Sequence, residues 1–163
     1  MNTAFVTQGI AFALAGALVV TAMRAGPGTV AFLGLAWVYG FGCVVVGVFP
    51  SGGPGTSVHA AGAAAAIVAG NLAILTAGSV LLRRRRCRAL GITGVPLGAA
   101  GLVCGGVLLG AGALDTDLFF GDGAWERGAV DSIIVWQLLA GVSVWIRPSR
   151  CATDPQLDSP DRL

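Results

Sequence analysis

The sequence predicts an all-α fold, a polytopic transmembrane helical bundle with five membrane-spanning helices. Mean hydropathy is +0.82, and charged residues make up 11% of the chain, against about 25% in soluble domains. No formal charge occurs between Arg24 and Arg83. A soluble core does not use so many consecutive apolar residues, whereas a bilayer needs about 20 for each spanning helix. These observations exclude a soluble globular protein and place the chain in a membrane.

Five apolar runs are long enough to cross the bilayer. A signal peptide is the alternative for the first run, but no Arg or Lys precedes it and no clean cleavage site follows it. In the fourth run, Pro96 frees the carbonyl of Ile92 and predicts a kink. The predicted helices cover residues 4–23, 30–49, 57–82, 89–114 and 125–146. They form one bundle, residues 1–147, and the tail at 148–163 is predicted to be disordered and cytoplasmic.

The stretch at residues 47–59, Gly-Val-Phe-Pro-Ser-Gly-Gly-Pro-Gly-Thr-Ser-Val-His, separates the second and third helices. Two prolines and three glycines lie between Pro50 and Gly55, and they cannot continue a helix. The single histidine of the chain, His59, stands where the next helix begins. We predict a tight hairpin with a polar corner at one membrane face.

The arginines predict the orientation. Arg24, the run at residues 83–88, Arg147 and Arg150 share one side if the helices alternate in direction. The positive-inside rule puts that side in the cytoplasm, so the N-terminus is expected outside and the C-terminus inside. A basic run can also bind anionic lipid or nucleic acid, but a net charge of +2 is too small to indicate a nucleic-acid partner.

Every basic residue is Arg and none is Lys. With the abundance of Ala, Gly and Val, this composition suggests a bacterial coding bias. The expected location is therefore a bacterial inner membrane, with the protein crossing it several times.

Small residues follow two of the predicted helices. The third helix carries a ridge of Gly62, Ala66 and Gly70. In lipid, helices associate through close backbone approach, so we predict that this ridge packs against a glycine face on the fourth helix. Asn71 is expected to form an interhelical hydrogen bond. The predicted partners are the lipid bilayer and, through the glycine faces, a second copy or another membrane protein. The face on the fourth helix comprises Gly94, Gly98, Gly101 and Gly105, extended by Gly106 and Gly110.

A polar site is hypothesised at the outer face. His59 and Glu126 are expected to approach each other beneath the Phe49–Pro50 turn, with Arg127 balancing the charge. A histidine with a carboxylate could act as an acid–base pair. The alternative is that these residues cap helices and anchor them in the headgroups. On the fifth helix, Arg127 could instead pair with Asp131, four residues further on.

Neither a metal nor a cofactor is predicted. One histidine with scattered acids, here including Asp115 and Asp117, is not a metal-binding pattern, and no nucleotide-binding loop, HExxH or GxSxG motif occurs. The cysteines do not suggest a disulfide set, because Cys87 and Cys151 fall on the side predicted to be reducing.

Two motifs resemble a known family. They are the Gly47–Pro50 turn followed by His59, and Gly123-Ala-Trp-Glu-Arg-Gly128 at the start of the last helix. They are similar to the bacterial integral membrane family called domain of unknown function 998, over residues 4–147. The resemblance implies a helical bundle in a membrane and no particular reaction. Members usually have six helices, so the first is expected to be missing here, and Ser51-Gly52-Gly53 stands where the family commonly has an Asp.

Three functions fit the sequence. The first is a non-catalytic membrane assembly or interaction protein, indicated by the glycine faces. The second is a membrane-embedded enzyme that acts on a lipid or isoprenoid at the outer leaflet through His59 and Glu126. The third, a small-molecule transporter, is disfavoured because transporters usually keep ionisable groups at mid-membrane.

Overall fold

Five long helices make up the computed structural model, which describes residues 2–22, 26–85, 87–114, 116 and 120–146. All five are long and apolar enough to cross a membrane, and no strand occurs in the described residues. The predicted fold class is confirmed, and every helix begins and ends within three residues of its predicted bounds. The predicted tail lies outside the described residues. The helices are α1 (Asn2–Ala22), α2 (Pro27–Val48), α3 (Thr56–Arg83), α4 (Arg88–Leu114) and α5 (Asp122–Ile146).

The helices pack in chain order. Each contacts the next, and α3 also contacts α5, so α3 lies at the centre of the bundle. The two ends of the series, α1 and α5, do not pack closely along their lengths. They are joined by a hydrogen bond of 3.2 Å from Gln8 Nε2 to Gln137 Oε1. A gap therefore remains between α1 and α5.

The small-residue ridge of α3 packs against α2. A Cβ added at Gly42 would lie 2.7 Å from the Gly62 carbonyl oxygen and 2.8 Å from the Ala66 nitrogen, and one at Gly70 would lie 2.7 Å from the Tyr39 ring. The prediction that paired this ridge with α4 is therefore wrong. Spacing along one helix identifies a face for close approach but does not identify the neighbouring helix.

The predicted glycine face of α4 does pack against α3, as expected. A Cβ at Gly98 would lie 2.8 Å from the Asn71 carbonyl oxygen, and one at Gly105 would lie 2.6 Å from the Ile67 side chain. The extension of this face is different, because nothing lies within 4 Å of a Cβ built at Gly106 or Gly110. The helix continues through Pro96 from Arg88 to Leu114.

One prediction for the cysteines is wrong. Cys43 and Cys104 are free thiols, but Cys87 is disulfide-bonded. A disulfide requires two cysteines within a few ångströms of each other, and the sequence alone does not reveal such an approach.

Candidate functional site

The centre of the bundle holds a buried polar network. Asn71 on α3 is 0% exposed, and its Nδ2 donates hydrogen bonds to the Ile67 carbonyl at 2.9 Å and to the Ala129 carbonyl on α5 at 3.0 Å. The Ser132 hydroxyl donates to Asn71 Oδ1 at 2.9 Å. On the third side, a Cβ at Gly101 of α4 would collide with both Asn71 Oδ1 and Ser132 Oγ.

This network is a structural link between three helices. Asn71 uses both its amide nitrogen and its amide oxygen on protein partners, and it does not line the cavity described below. The predicted interhelical hydrogen bond of Asn71 is confirmed, and the network orients α5 against α3 in a region without water.

The hairpin between α2 and α3 is held by its own side chains. The Thr56 hydroxyl oxygen accepts hydrogen bonds from the Gly52 and Gly53 amides at 3.0 and 3.1 Å. Gly52 has a φ of +87°, which glycine adopts without steric strain. His59 Nδ1 lies 2.7 Å from the Phe49 carbonyl oxygen, and because a carbonyl can only accept, Nδ1 carries the hydrogen. His59 thus fastens the start of α3 to the end of α2.

The other residues of the hypothesised site lie at the start of α5. Glu126, Arg127 and Asp131 are exposed there. Within the described ranges, no hydrogen bond or ion pair joins His59 to Glu126 or Arg127 to Asp131. Asp115 and Asp117 lie outside the described residues. A joint catalytic role for His59, Glu126 and Arg127 stays a prediction.

Among the residues that the structure describes, no group of three or more His, Cys, Asp or Glu side chains could hold a metal ion. The hairpin corner therefore offers a single anchored imidazole as its chemically distinctive group.

A cavity that the sequence did not reveal lies between α1 and α5. Its volume is about 710 Å³. The lining residues come from the ends of α1, α3 and α5 and from the starts of α2 and α4, so the cavity lies in one half of the bundle. That half adjoins the arginine-rich face, which we define as the membrane face holding the α1–α2 and α3–α4 connections and the end of α5. The lining includes Gln8, Phe12, Ala15, Gly16, Leu18, Val19, Gly28, Thr29, Phe32, Ala77, Val80, Leu81, Cys87, Leu90, Trp136, Gln137, Ala140, Gly141 and Val144.

The cavity walls are largely apolar and its ends are polar. Phe12 and Phe32 meet edge to face, with ring centroids 6.1 Å apart. Trp136 Nε1 donates to the Leu90 carbonyl at 3.3 Å. At the end deeper in the bundle, the Gln8–Gln137 bond crosses from α1 to α5, and Gln137 Nε2 is buried there without a hydrogen-bond partner among the described residues. From Gln8 to Val19, the cavity follows α1 for roughly 16 Å.

The arginine run lies next to the end of the cavity nearest the arginine-rich face, since Leu81 and Cys87, near the two ends of the run, line the cavity. Arg84 Nη2 donates to the Thr29 hydroxyl at 3.2 Å, and Thr29 is buried and lines the cavity. Arg83, Arg85 and Arg88 belong to the same run and are exposed. The described acidic residues, Asp122, Glu126 and Asp131, all lie in the opposite half of α5, so this face carries uncompensated positive charge in the part of the chain that is described.

Sequence reasoning missed this cavity because its walls look like ordinary packing residues. Apolar side chains at helical spacing are found equally on faces that contact helices, lipid or a ligand. The available signal was the pair Gln8 and Gln137, two polar residues inside apolar helices, since such residues mark contacts within a bundle or functional sites.

The fold and the cavity define a multi-pass membrane protein with an opening between its first and last helices. The chain belongs to the family described as "Protein of unknown function (DUF998)", whose model matches residues 1–143. The resemblance predicted from the two motifs is thereby confirmed. No curated protein and no solved structure matches the chain. Membership of this family supports the membrane fold but does not indicate a reaction.

Proposed function

We propose that this protein is a non-catalytic interaction protein of the membrane, which binds the chain of a lipid-like molecule between α1 and α5. The observation that supports this function is the apolar cavity of about 710 Å³. Sites for small molecules commonly measure about 300–1,000 Å³, and dry apolar cavities bind apolar molecules. Inside a bilayer, lipid chains are the apolar molecules at highest concentration.

The extent of the cavity favours a chain over a further helix as the occupant. The cavity follows α1 for roughly 16 Å, whereas a membrane-spanning helix is about 30 Å long. The lining also covers only one half of the bundle, whereas a helix would need contacts along its full length.

The test is retention of lipid by the purified full chain. Native mass spectrometry after detergent purification is expected to show wild type carrying about one lipid-like molecule per chain. Ala77→Phe fills the cavity from α3 and is expected to lose that molecule. Ala100→Phe is the control, because Ala100 is exposed on α4 and does not line the cavity. Wild type without bound lipid, or Ala77→Phe with as much lipid as wild type, would contradict the proposal.

Self-association through glycine faces is proposed as a further way for the protein to act. The buried glycines of α3 and α4 already pack within the bundle, but Gly106 and Gly110 are four residues apart and open. Small residues at this spacing permit close approach of a second helix. Gly106→Leu should then shift a cross-linked dimer to monomer, whereas an unchanged cross-linking pattern would remove this proposal.

An enzyme at the outer leaflet is the second candidate function. The observation that favours it is the anchoring of His59, because Nδ1 donates to the Phe49 carbonyl and the neutral ring then has its basic site on Nε2. The test is release of product from labelled membrane lipids. His59→Ala should abolish release and Ser57→Ala, on the same turn, should not. If wild type releases nothing, the enzyme proposal fails.

A further inference from the structure

A hydrogen bond connects the arginine run to the wall of the cavity, at the end nearest the arginine-rich face. Arg84 reaches from the end of α3 to Thr29 at the start of α2, and Thr29 is part of the cavity wall. This bond holds the end of α3 beside the cavity. Arg83 and Arg85, directly before and after Arg84 in the chain, are both exposed, so their backbone lies close to this end of the cavity.

Arg85 has an unusual backbone conformation. Its φ is +53°, in the left-handed region that glycine adopts more readily than other residues. Helices often end with a residue in this conformation, and that residue is usually Gly or Asn. A bulky charged residue in this conformation is strained, and strained residues concentrate at functional segments. Its amide nevertheless donates to the Leu82 carbonyl at 3.1 Å, so the conformation belongs to the ordered end of α3.

We infer that the bound molecule is an anionic phospholipid, with its acyl chain in the cavity and its phosphate headgroup on Arg83, Arg85 and Arg88. This inference rests on the proposed function and names the class of lipid. An apolar chain matches the wall formed by Phe12, Phe32 and Trp136. A headgroup with net negative charge matches the arginine-rich face.

Charge decides between classes of phospholipid. Basic pockets between spanning helices bind anionic headgroups, and each Lys or Arg near the headgroups contributes roughly a fivefold gain in affinity. A zwitterionic lipid with the same chains would make the same cavity contacts but would gain little from the arginines. The described acids lie in the opposite half of α5 and do not offset this charge.

The experiment compares two lipids with identical chains. Delipidated full-length protein in neutral detergent is titrated with dioleoyl phosphatidylglycerol, which is anionic, and with dioleoyl phosphatidylcholine, which is zwitterionic. Wild type is expected to bind the anionic lipid at least about tenfold more tightly. This preference should decline between about 0.05 and about 0.5 M salt because exposed charges are screened.

Variants separate the headgroup contacts from the chain contacts. The triple variant Arg83→Gln, Arg85→Gln, Arg88→Gln should bind both lipids equally, at the affinity that wild type shows for phosphatidylcholine. Arg127→Gln removes an exposed arginine at the start of α5 and should leave the preference unchanged. Ala77→Phe should weaken binding of both lipids.

Equal affinities in wild type, or a preference that the triple variant retains, would overturn the anionic-lipid inference while the proposed chain-binding function stands. If neither lipid binds wild type, both fail. If the triple variant does not fold, the salt titration of wild type decides, because a preference insensitive to salt would also overturn the inference.

Discussion

Asn71 on α3 and Gly101 on α4 are packed so closely that no side chain larger than glycine fits at position 101. A Cβ at Gly101 would enter the volume of Asn71 Oδ1 and Ser132 Oγ. Because Asn71 is fully buried and bonded on both sides, it cannot move without breaking hydrogen bonds between helices. Glycine at this position is thus required by the polar network and not only by helix packing.

Gly101→Ala is therefore expected to destabilise the protein by about 2–3 kcal/mol, combining overpacking with disturbed hydrogen bonds. Unfolding in mixed detergent micelles measures the change. Gly112→Ala is the matched control, since it adds the same methyl group on the same helix where nothing lies within 4 Å. Equal stabilities for the two variants would contradict the proposed role of Gly101.

Ser132→Ala tests the hydrogen bond between α5 and α3. Interhelical hydrogen bonds in membranes average about 0.6 kcal/mol and reach about 1.7 kcal/mol, and we expect the upper part of this range because Asn71 Oδ1 would lose its donor. Ser79→Ala is the comparison, because among the described residues the Ser79 hydroxyl bonds only within its own helix, to the Leu75 carbonyl at 2.8 Å. A smaller loss for Ser132→Ala than for Ser79→Ala would count against the network.

At the level of helices, α3 is packed on two sides by small residues. On one side, Gly62 and Ala66 of α3 contact α2. On the other side, α3 contacts Gly98 and Gly105 of α4. These close approaches provide the van der Waals contact that holds helices together in lipid, where no hydrophobic force drives them.

Gly98→Leu is expected to separate α3 from α4 and to lower the melting temperature in detergent by several degrees, since a Cβ at Gly98 already lies 2.8 Å from the Asn71 carbonyl oxygen. Gly112→Leu makes the same substitution on α4 where nothing lies within 4 Å and serves as the control. Unchanged melting of Gly98→Leu would mean that the α3–α4 contact is not required for stability.

The sequence predicts the helices well because length and apolarity alone decide what can cross a bilayer. It also identifies the glycine face of α4 from Gly94 to Gly105, which meets neighbouring helices, but not the extension at Gly106 and Gly110, which is open. It assigns the ridge at Gly62 and Ala66 to the wrong neighbour, because periodicity describes one helix at a time.

The candidate sites were predictable to different degrees. His59 was recognised from its uniqueness and its place beside the Phe49–Pro50 turn, and the structure adds its bond to the Phe49 carbonyl. The cavity was not predicted, because it arises from the gap between α1 and α5. That gap depends on the arrangement of all five helices and leaves no pattern in any one of them.

For the whole molecule, the distribution of arginines predicts that the arginine-rich face is cytoplasmic. A reporter that works only in the cytoplasm is expected to be active when it is fused after Arg150. The disulfide at Cys87 is the observation that stands against this orientation, because the cytoplasm keeps thiols reduced. Activity of a reporter that works only outside the cytoplasm would reverse the orientation and would place the cavity in the outer leaflet.

Fluorescence of Trp136 decides whether a lipid chain occupies the cavity. Trp136 is 5% exposed and lines the cavity, whereas Trp145 is 88% exposed. Two single-tryptophan proteins, made by Trp→Phe changes at the other tryptophans, are reconstituted with phospholipid carrying bromine on its acyl chains. Bromine quenches a tryptophan only at short range, so Trp145 serves as the reference for lipid in bulk. Saturable quenching of Trp136 at a low fraction of brominated lipid, lost in Ala77→Phe, is the predicted result. Trp136 unquenched while Trp145 is quenched would contradict a chain in the cavity.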